Sequence, residues 1–91
     1  MIKVEFLGGL ELLTNNISHF QLDIVQPCEL NQVAQLITEK VITKDSEIFF
    51  QDSQIQNGII QLINDQDIEI LDSSIVKPGD KLTFISMVHG G

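Results

Sequence analysis

The chain has 91 residues, of which 13 are acidic and 5 basic, giving a net charge of −8 and a pI near 4.3. That length makes one domain with one modest core, and an apolar content of 43% argues against an acidic disordered tail. All five bases are lysines, and so acidic a chain lacks the clustered cations that hold phosphates, which argues against direct nucleic-acid binding.

Ile2, Val4 and Phe6 alternate with Lys3 and Glu5, which predicts a strand. Lys3 and Glu5 also interrupt the apolar run before a signal-peptide core forms. Gly8-Gly9 then marks a turn, because glycine takes positive φ without steric cost. After a polar run over residues 14–18, Phe20, Leu22 and Ile24 alternate with Gln21 and Asp23, completing a predicted hairpin. Within that run, Asn16-Ile17-Ser18 matches a glycosylation sequon by coincidence, since the pattern matters only in a secreted chain.

Pro27 is expected to end the second strand. From Glu29 onward the period changes: Leu30, Val33, Ala34, Ile37 and Val41 form one stripe of an amphipathic helix. Glu29 near its start and Lys40 with Lys44 near its end suit the helix dipole. Residues 43–57 admit two readings, a short helical turn opened by Ser46 or a short edge strand; both bury at least one of Phe49 and Phe50. Ile59-Ile60-Gln61-Leu62-Ile63 is apolar on both faces, as in a well-covered strand. Ile68 and Ile70, alternating with Asp67 and Glu69, predict another, and after the turn at Lys77-Pro78-Gly79-Asp80 a last strand runs from Leu82 to Val88. One helix across one side of a mixed sheet gives an α+β domain. Periodicity leaves the strand order open.

The chain offers little for catalysis. It has one Cys, two His and no nucleophile elbow or triad-like motif. Cys28 reads as an ordinary, partly buried thiol near the helix start. Alone, it forms no internal disulfide, and a reducing cytoplasm is the expected setting. His19 reads as a surface polar residue. Asp65, Asp67 and Glu69 suggest calcium, but the positions that an EF-hand reserves for Gly and Glu hold Ile70 and Val76. The three carboxylates are expected to line a solvated strand face. No zinc pattern, phosphate loop or membrane span of about 18 apolar residues is present in the sequence.

The end of the chain carries the strongest signal. The last strand runs almost directly into His89-Gly90-Gly91. A carboxylate used as an acyl donor must enter another protein's active site, and glycines let the backbone lie flat in a narrow channel. A three-residue tail reaches at most about 10 Å, so a partner would have to dock on the domain itself. The expected division is a domain over residues 1–88 and a flexible tail over 89–91.

Three blocks, 4–13 (VEFLGGLELL), 58–65 (GIIQLIND) and 84–91 (FISMVHGG), resemble the eukaryotic ubiquitin-related modifier family, the sulfur carrier of tRNA thiolation. The resemblance spans essentially the whole chain and is weakest over residues 43–56. It implies a ubiquitin-like β-grasp fold with the first and last strands parallel and adjacent at the sheet centre. It also implies a protein co-substrate rather than an enzyme, with no bound cofactor or metal. An adenylating, rhodanese-type activating enzyme, supplied with ATP, would activate the Gly91 carboxylate. A persulfide sulfur would then leave a thiocarboxylate there. His89 and Gly90 would serve tail recognition by that enzyme. The sulfur would pass to a tRNA thiolase complex that modifies the wobble uridine, and Gly91 would also form isopeptide bonds with lysines of target proteins. The chain is expected to act as a monomer. The alternatives are a bacterial-type carrier for molybdopterin or thiamine synthesis and a non-conjugated ubiquitin-like interaction module.

Overall fold

Alternation along the first segment does place Ile2, Val4 and Phe6 on one face, each at most 2% exposed, in strand β1 (Ile2–Leu7). A computed structural model describes residues 1–87. Val88 and the expected tail, with His89, Gly90 and Gly91, lie outside the described residues. Gly8 and Gly9 have φ of 71° and 103°, so the turn after β1 uses the freedom that only glycine offers cheaply. The chain next forms a 3-10 turn (Leu10–Thr14) before β2 (His19–Leu22). This turn departs from the simple predicted hairpin. Leu10 and Leu13 drop into the core, and buried Thr14 is satisfied by donating its hydroxyl to the Ile17 carbonyl at 2.6 Å. Strand β2 ends at Leu22, five residues before Pro27, although Ile24 remains buried.

The short β3 (Cys28–Glu29) leads into α1 (Leu30–Lys40). Glu29 is the N-cap rather than part of the first turn. Its carboxylate accepts from the Gln32 backbone, while the Gln32 side chain accepts the Glu29 N–H at 2.9 Å, forming a capping box. The predicted stripe is the buried one: Leu30, Val33, Ala34 and Ile37 are at most 3% exposed, and Val41 follows as the half-buried C-cap.

Both readings of residues 43–57 hold in part. A 3-10 turn (Ser46–Ile48) comes first, with Asp45 rather than Ser46 at its N-cap, and then β4 (Phe50–Gln51) pairs with β5 (Gln54–Ile55). Phe49, between turn and strand, is fully buried. Strand β6 (Ile59–Ile63) is joined to β7 (Gln66–Asp67) through Asn64-Asp65, and Asp52-Ser53 joins β4 to β5. All four of these loop residues have φ between 52° and 68°, which suits two-residue hairpin loops and residue types that tolerate left-handed backbone.

The strand expected around Ile68 and Ile70 is a 3-10 turn (Ile68–Ile70). Asp67 caps it, its carboxylate accepting the Glu69 N–H at 3.0 Å, so Asp65, Asp67 and Glu69 do not line a strand face. Alternation at i and i+2 is too short a signal here to compete with a local Asp cap. Strands β8 (Ile75–Val76) and β9 (Lys81–Ser86) follow.

The main sheet has the order β2-β1-β9-β6-β7. Its central pair, β1 and β9, is parallel with Val4 opposite Leu82 and Phe6 opposite Phe84; β2 and β6 flank it antiparallel. Helix α1 covers one face, and β3 pairs with β8 in a separate ladder. The core centres on Phe6, whose ring lies 5.1 Å from Phe49, 5.3 Å from Phe20 and 5.9 Å from Phe84. These contacts are tilted or edge-to-face, the arrangement that the ring quadrupole favours.

Candidate functional site

The chemistry expected of the tail would depend on how the strand before it is held and on what surface lies at that end of the sheet. Because β1 and β9 are parallel, β9 delivers the chain to the same end of the sheet as the Leu7 end of β1. Two backbone contacts fix β9 there. The Met87 N–H donates to the Gly58 carbonyl at 2.9 Å. On the other side Gly8 lies so close that a Cβ added to it would meet the Ser86 carbonyl oxygen at 2.4 Å.

The sheet face away from α1 is organised by register. Ile2, Val4 and Phe6 point into the core, so Lys3, Glu5 and Leu7 point out; likewise Thr83 and Ile85 oppose the direction of Leu82 and Phe84, and Ile60 and Leu62 that of Ile63. Leu7, Ile85 and Ile60 sit directly opposite one another on β1, β9 and β6, the row nearest the tail. All three are half-buried, and none packs on the core. Leu62 adjoins them, and Met87, at 65% exposure, follows Ile85 along the chain. The doubly apolar sequence of β6 is therefore explained differently from expectation: one face meets the core and the other is open. This uncovered apolar row is the candidate interaction surface at this end of the sheet.

Charge occupies the rows farther from the tail. Glu5 pairs with His19 at 2.8 Å, and Ser18 Oγ lies 2.9 Å from His19 Nδ1. Lys3 faces Lys81, which also pairs with Asp65 at 3.1 Å. His19 is 72% exposed in its side chain, in keeping with a surface polar role. A groove of about 220 Å³ runs along Lys3, Glu5, His19 and Gln21. Among the described residues no group of three His, Cys, Asp or Glu side chains is placed to hold a metal ion. Asn64 ties the β6–β7 turn to the last strand, its side chain donating to Asp80 and accepting from the Lys81 N–H, both at 2.9 Å.

Cys28 is partly exposed, and desolvation pushes its thiol above the ordinary value of 9.0. Folding thus favours the neutral thiol, the reverse of an activated nucleophile. The unfolded chain ionises first, so this contribution to stability is present below the unfolded pKa and is lost as pH rises through the folded one. Alkylation of Cys28 in mildly alkaline buffer is expected to be slower in the native chain than in denaturant. Mass-resolved labelling checks this, and faster native labelling would show an activated thiol.

The predicted site residues Gly91, Gly90 and His89 lie outside the described residues. Sequence reasoning missed the apolar surface at the Ser86 end of β9, because Leu7, Ile60 and Ile85 acquire a shared face only when three strands separated in sequence are set in register. The apolar excess of residues 59–63 was the available signal. No described helix is long and apolar enough to cross a membrane.

Comparison with known proteins agrees with this architecture. A Candida glabrata protein described as "Ubiquitin-related modifier 1" is 39% identical over 97 residues, covering 99% of this chain and 97% of that protein. A Schizosaccharomyces pombe relative with the same description is 38% identical over 98 residues, covering 99% and 98%. Among solved structures, the solution structure of Urm1 from Trypanosoma brucei superposes with a TM-score of 0.81 at 34% identity, covering 99% of this chain and 94% of that one. SAMP1 from Haloferax volcanii, at 16% identity and a TM-score of 0.76, shares the fold. The family model for Urm1 (Ubiquitin related modifier) matches residues 1–91, and with the β-grasp sheet and full-length relatives in agreement, the chain belongs to this family of small ubiquitin-like modifiers, which are not themselves catalysts.

Proposed function

We propose that this chain is a sulfur carrier for 2-thiolation of the tRNA wobble uridine and a modifier joined to target lysines, with the Gly91 carboxylate as the working group in both roles. The observation that carries the reading is membership of the Urm1 family over residues 1–91, a span that includes His89-Gly90-Gly91. A carboxylate is a poor electrophile. An activating enzyme using ATP would convert it to an acyl-adenylate with release of pyrophosphate. The terminal sulfur of an enzyme persulfide would then displace AMP, and a second thiol would break the S–S bond of the acyl disulfide to leave a thiocarboxylate. The same activated carbonyl, attacked by a lysine amine, would give an isopeptide bond. His89 and Gly90 would fit the enzyme's channel. The acidic chain would never need to bind tRNA phosphates, since the thiolase would hold the RNA.

The apolar row Leu7, Ile60 and Ile85, with Leu62 and Met87, is where this reading places the enzyme, because a short tail reaches an active site only if the docking surface adjoins its root. Ile60→Glu or Ile85→Glu is expected to slow loading of subsaturating chain by roughly thirtyfold or more, the equivalent of losing about 2 kcal/mol of central interface contact. Thermal melting should shift little, since neither side chain packs on the core. Normal loading of both variants would move the docking surface elsewhere.

The deciding experiment is intact-protein mass spectrometry after incubation with the matching activating enzyme, ATP and a sulfur donor. A mass gain equal to one oxygen replaced by sulfur is expected, located on Gly91. Absence of the gain, or an equal gain after deletion of Gly91, overturns the reading. Retained cellular function after deletion of Gly90 and Gly91 would instead indicate a non-conjugated interaction module.

A further inference from the structure

Five asparagines occur in the chain, at positions 15, 16, 31, 57 and 64, and only Asn57 precedes a glycine. Asn57 and Gly58 form an exposed turn between β5 and β6, with Gly58 at φ 87°. Among the described residues no hydrogen bond engages the Asn57 side-chain amide or the Gly58 N–H. Asn64 is the contrast: its side chain both donates to Asp80 and accepts from Lys81. Asn31 is held within α1. Asn57 therefore combines a free amide with a neighbour that has no side chain to obstruct attack.

We infer that Asn57-Gly58 is a site of spontaneous covalent modification, at which the Gly58 nitrogen closes on the Asn57 side chain and converts it to isoaspartate, loosening the last described rung of the sheet before the tail. The Gly58 amide loses its proton to solvent base, and its nitrogen bonds to Asn57 Cγ. Nδ2 takes up a proton and leaves as ammonia, giving a cyclic succinimide. Water then adds to one of the two ring carbonyls. Opening at the side-chain carbonyl gives aspartate, and opening at the main-chain carbonyl gives isoaspartate, in which the backbone runs through Cβ and Cγ. No oxidation state changes.

The position of this turn gives the reaction a consequence. The Gly58 carbonyl accepts the Met87 N–H, and the next pair in the ladder is Ile59 with Ser86. An isoaspartyl link lengthens the main chain by one atom next to Gly58 and displaces that carbonyl from the root of the tail. The inference does not depend on the chemistry assigned to Gly91.

The test uses the full chain aged in mildly alkaline buffer. Intact mass should rise by the exchange of one NH for one O. Peptide mapping should place the gain on the peptide containing Asn57, and a protein isoaspartyl methyltransferase should methylate it. Asn57→Gln, which would have to close a larger ring, should show no such gain over the same period. In the aged isoaspartyl fraction the Met87 amide should exchange hydrogen faster than in fresh protein. Asn57→Asp, which carries the new charge without the extra backbone atom, should exchange as fresh protein does. A gain spread evenly over the asparagines, or none at Asn57, overturns the site. Unchanged Met87 exchange in the isoaspartyl fraction overturns its link to the tail.

Discussion

Phe84→Ala is expected to remove a large share of the domain's stability. Phe84 is 1% exposed on the central strand β9, with its ring 5.1 Å from Phe49 and 5.9 Å from Phe6. Truncating a buried phenylalanine costs about 3–5 kcal/mol, the transfer free energy of the ring plus the cavity it leaves. A domain of this size holds roughly 5–14 kcal/mol in total, at about 0.05–0.15 kcal/mol per residue. Near 4–8 °C per kcal/mol, the melting midpoint should fall by about 12–40 °C. Thermal unfolding followed by circular dichroism measures this directly. Phe20→Ala is the comparison: Phe20 meets Phe6 from the edge strand but is only half-buried, so its loss should cost distinctly less. Equal costs would mean that the ring cluster is not centred as described.

The second large effect is expected from one methyl group. Gly8→Ala puts a Cβ at 2.4 Å from the Ser86 carbonyl oxygen, 3.0 Å from its nitrogen and 3.2 Å from its carbonyl carbon, all backbone atoms that no rotamer change can move. Gly8 also sits at φ 71°, where any L-residue with a Cβ is strained. Strain of about 1–2 kcal/mol and overpacking of about 1–3 kcal/mol together predict a loss of roughly 2–5 kcal/mol. Gly79→Ala separates these causes. Gly79 has φ 95° but nothing within 4 Å of an added Cβ, so only the strain should register. If the two substitutions cost the same, close approach at Gly8 contributes nothing. Ser86 is the residue pushed, so hydrogen exchange at the neighbouring Met87 amide should also accelerate in Gly8→Ala and not in Gly79→Ala. The close approach of Gly8 thus fixes where the Ser86 end of β9 lies against β1.

These two positions show different degrees of legibility. Phe84 lies in an alternating run whose inward face is readable from residues 82–84 alone. Helix α1 is equally plain, because Leu30, Val33, Ala34 and Ile37 recur at the helical period and each local signal agrees with the burial observed. The capping box could have been read too, as a carboxylate followed three residues later by glutamine. Short elements were harder. Ile68 and Ile70 fit a strand period over three residues, yet an Asp cap turned them into a 3-10 turn. Leu10 and Leu13 were bypassed because a single turn gives too few repeats to establish a period.

Composition, charge, the helix, the longer strands and the glycine pairs are properties of neighbouring residues, and they were set by the chain's own local chemistry. Strand order is different. Nothing local pairs Leu7 with Ile85 or Ile85 with Ile60, and the parallel neighbours β1 and β9 come from opposite ends of the chain. Family resemblance, not periodicity, anticipated that pairing. The open apolar row, the contact between Gly8 and Ser86 and the hydrogen bond from Met87 to Gly58 arise only when packing brings distant segments within a few ångströms. A sequence pattern records which way a side chain points along its own strand; what stands opposite it is decided by the register between strands, a long-range property that the folded sheet alone supplies.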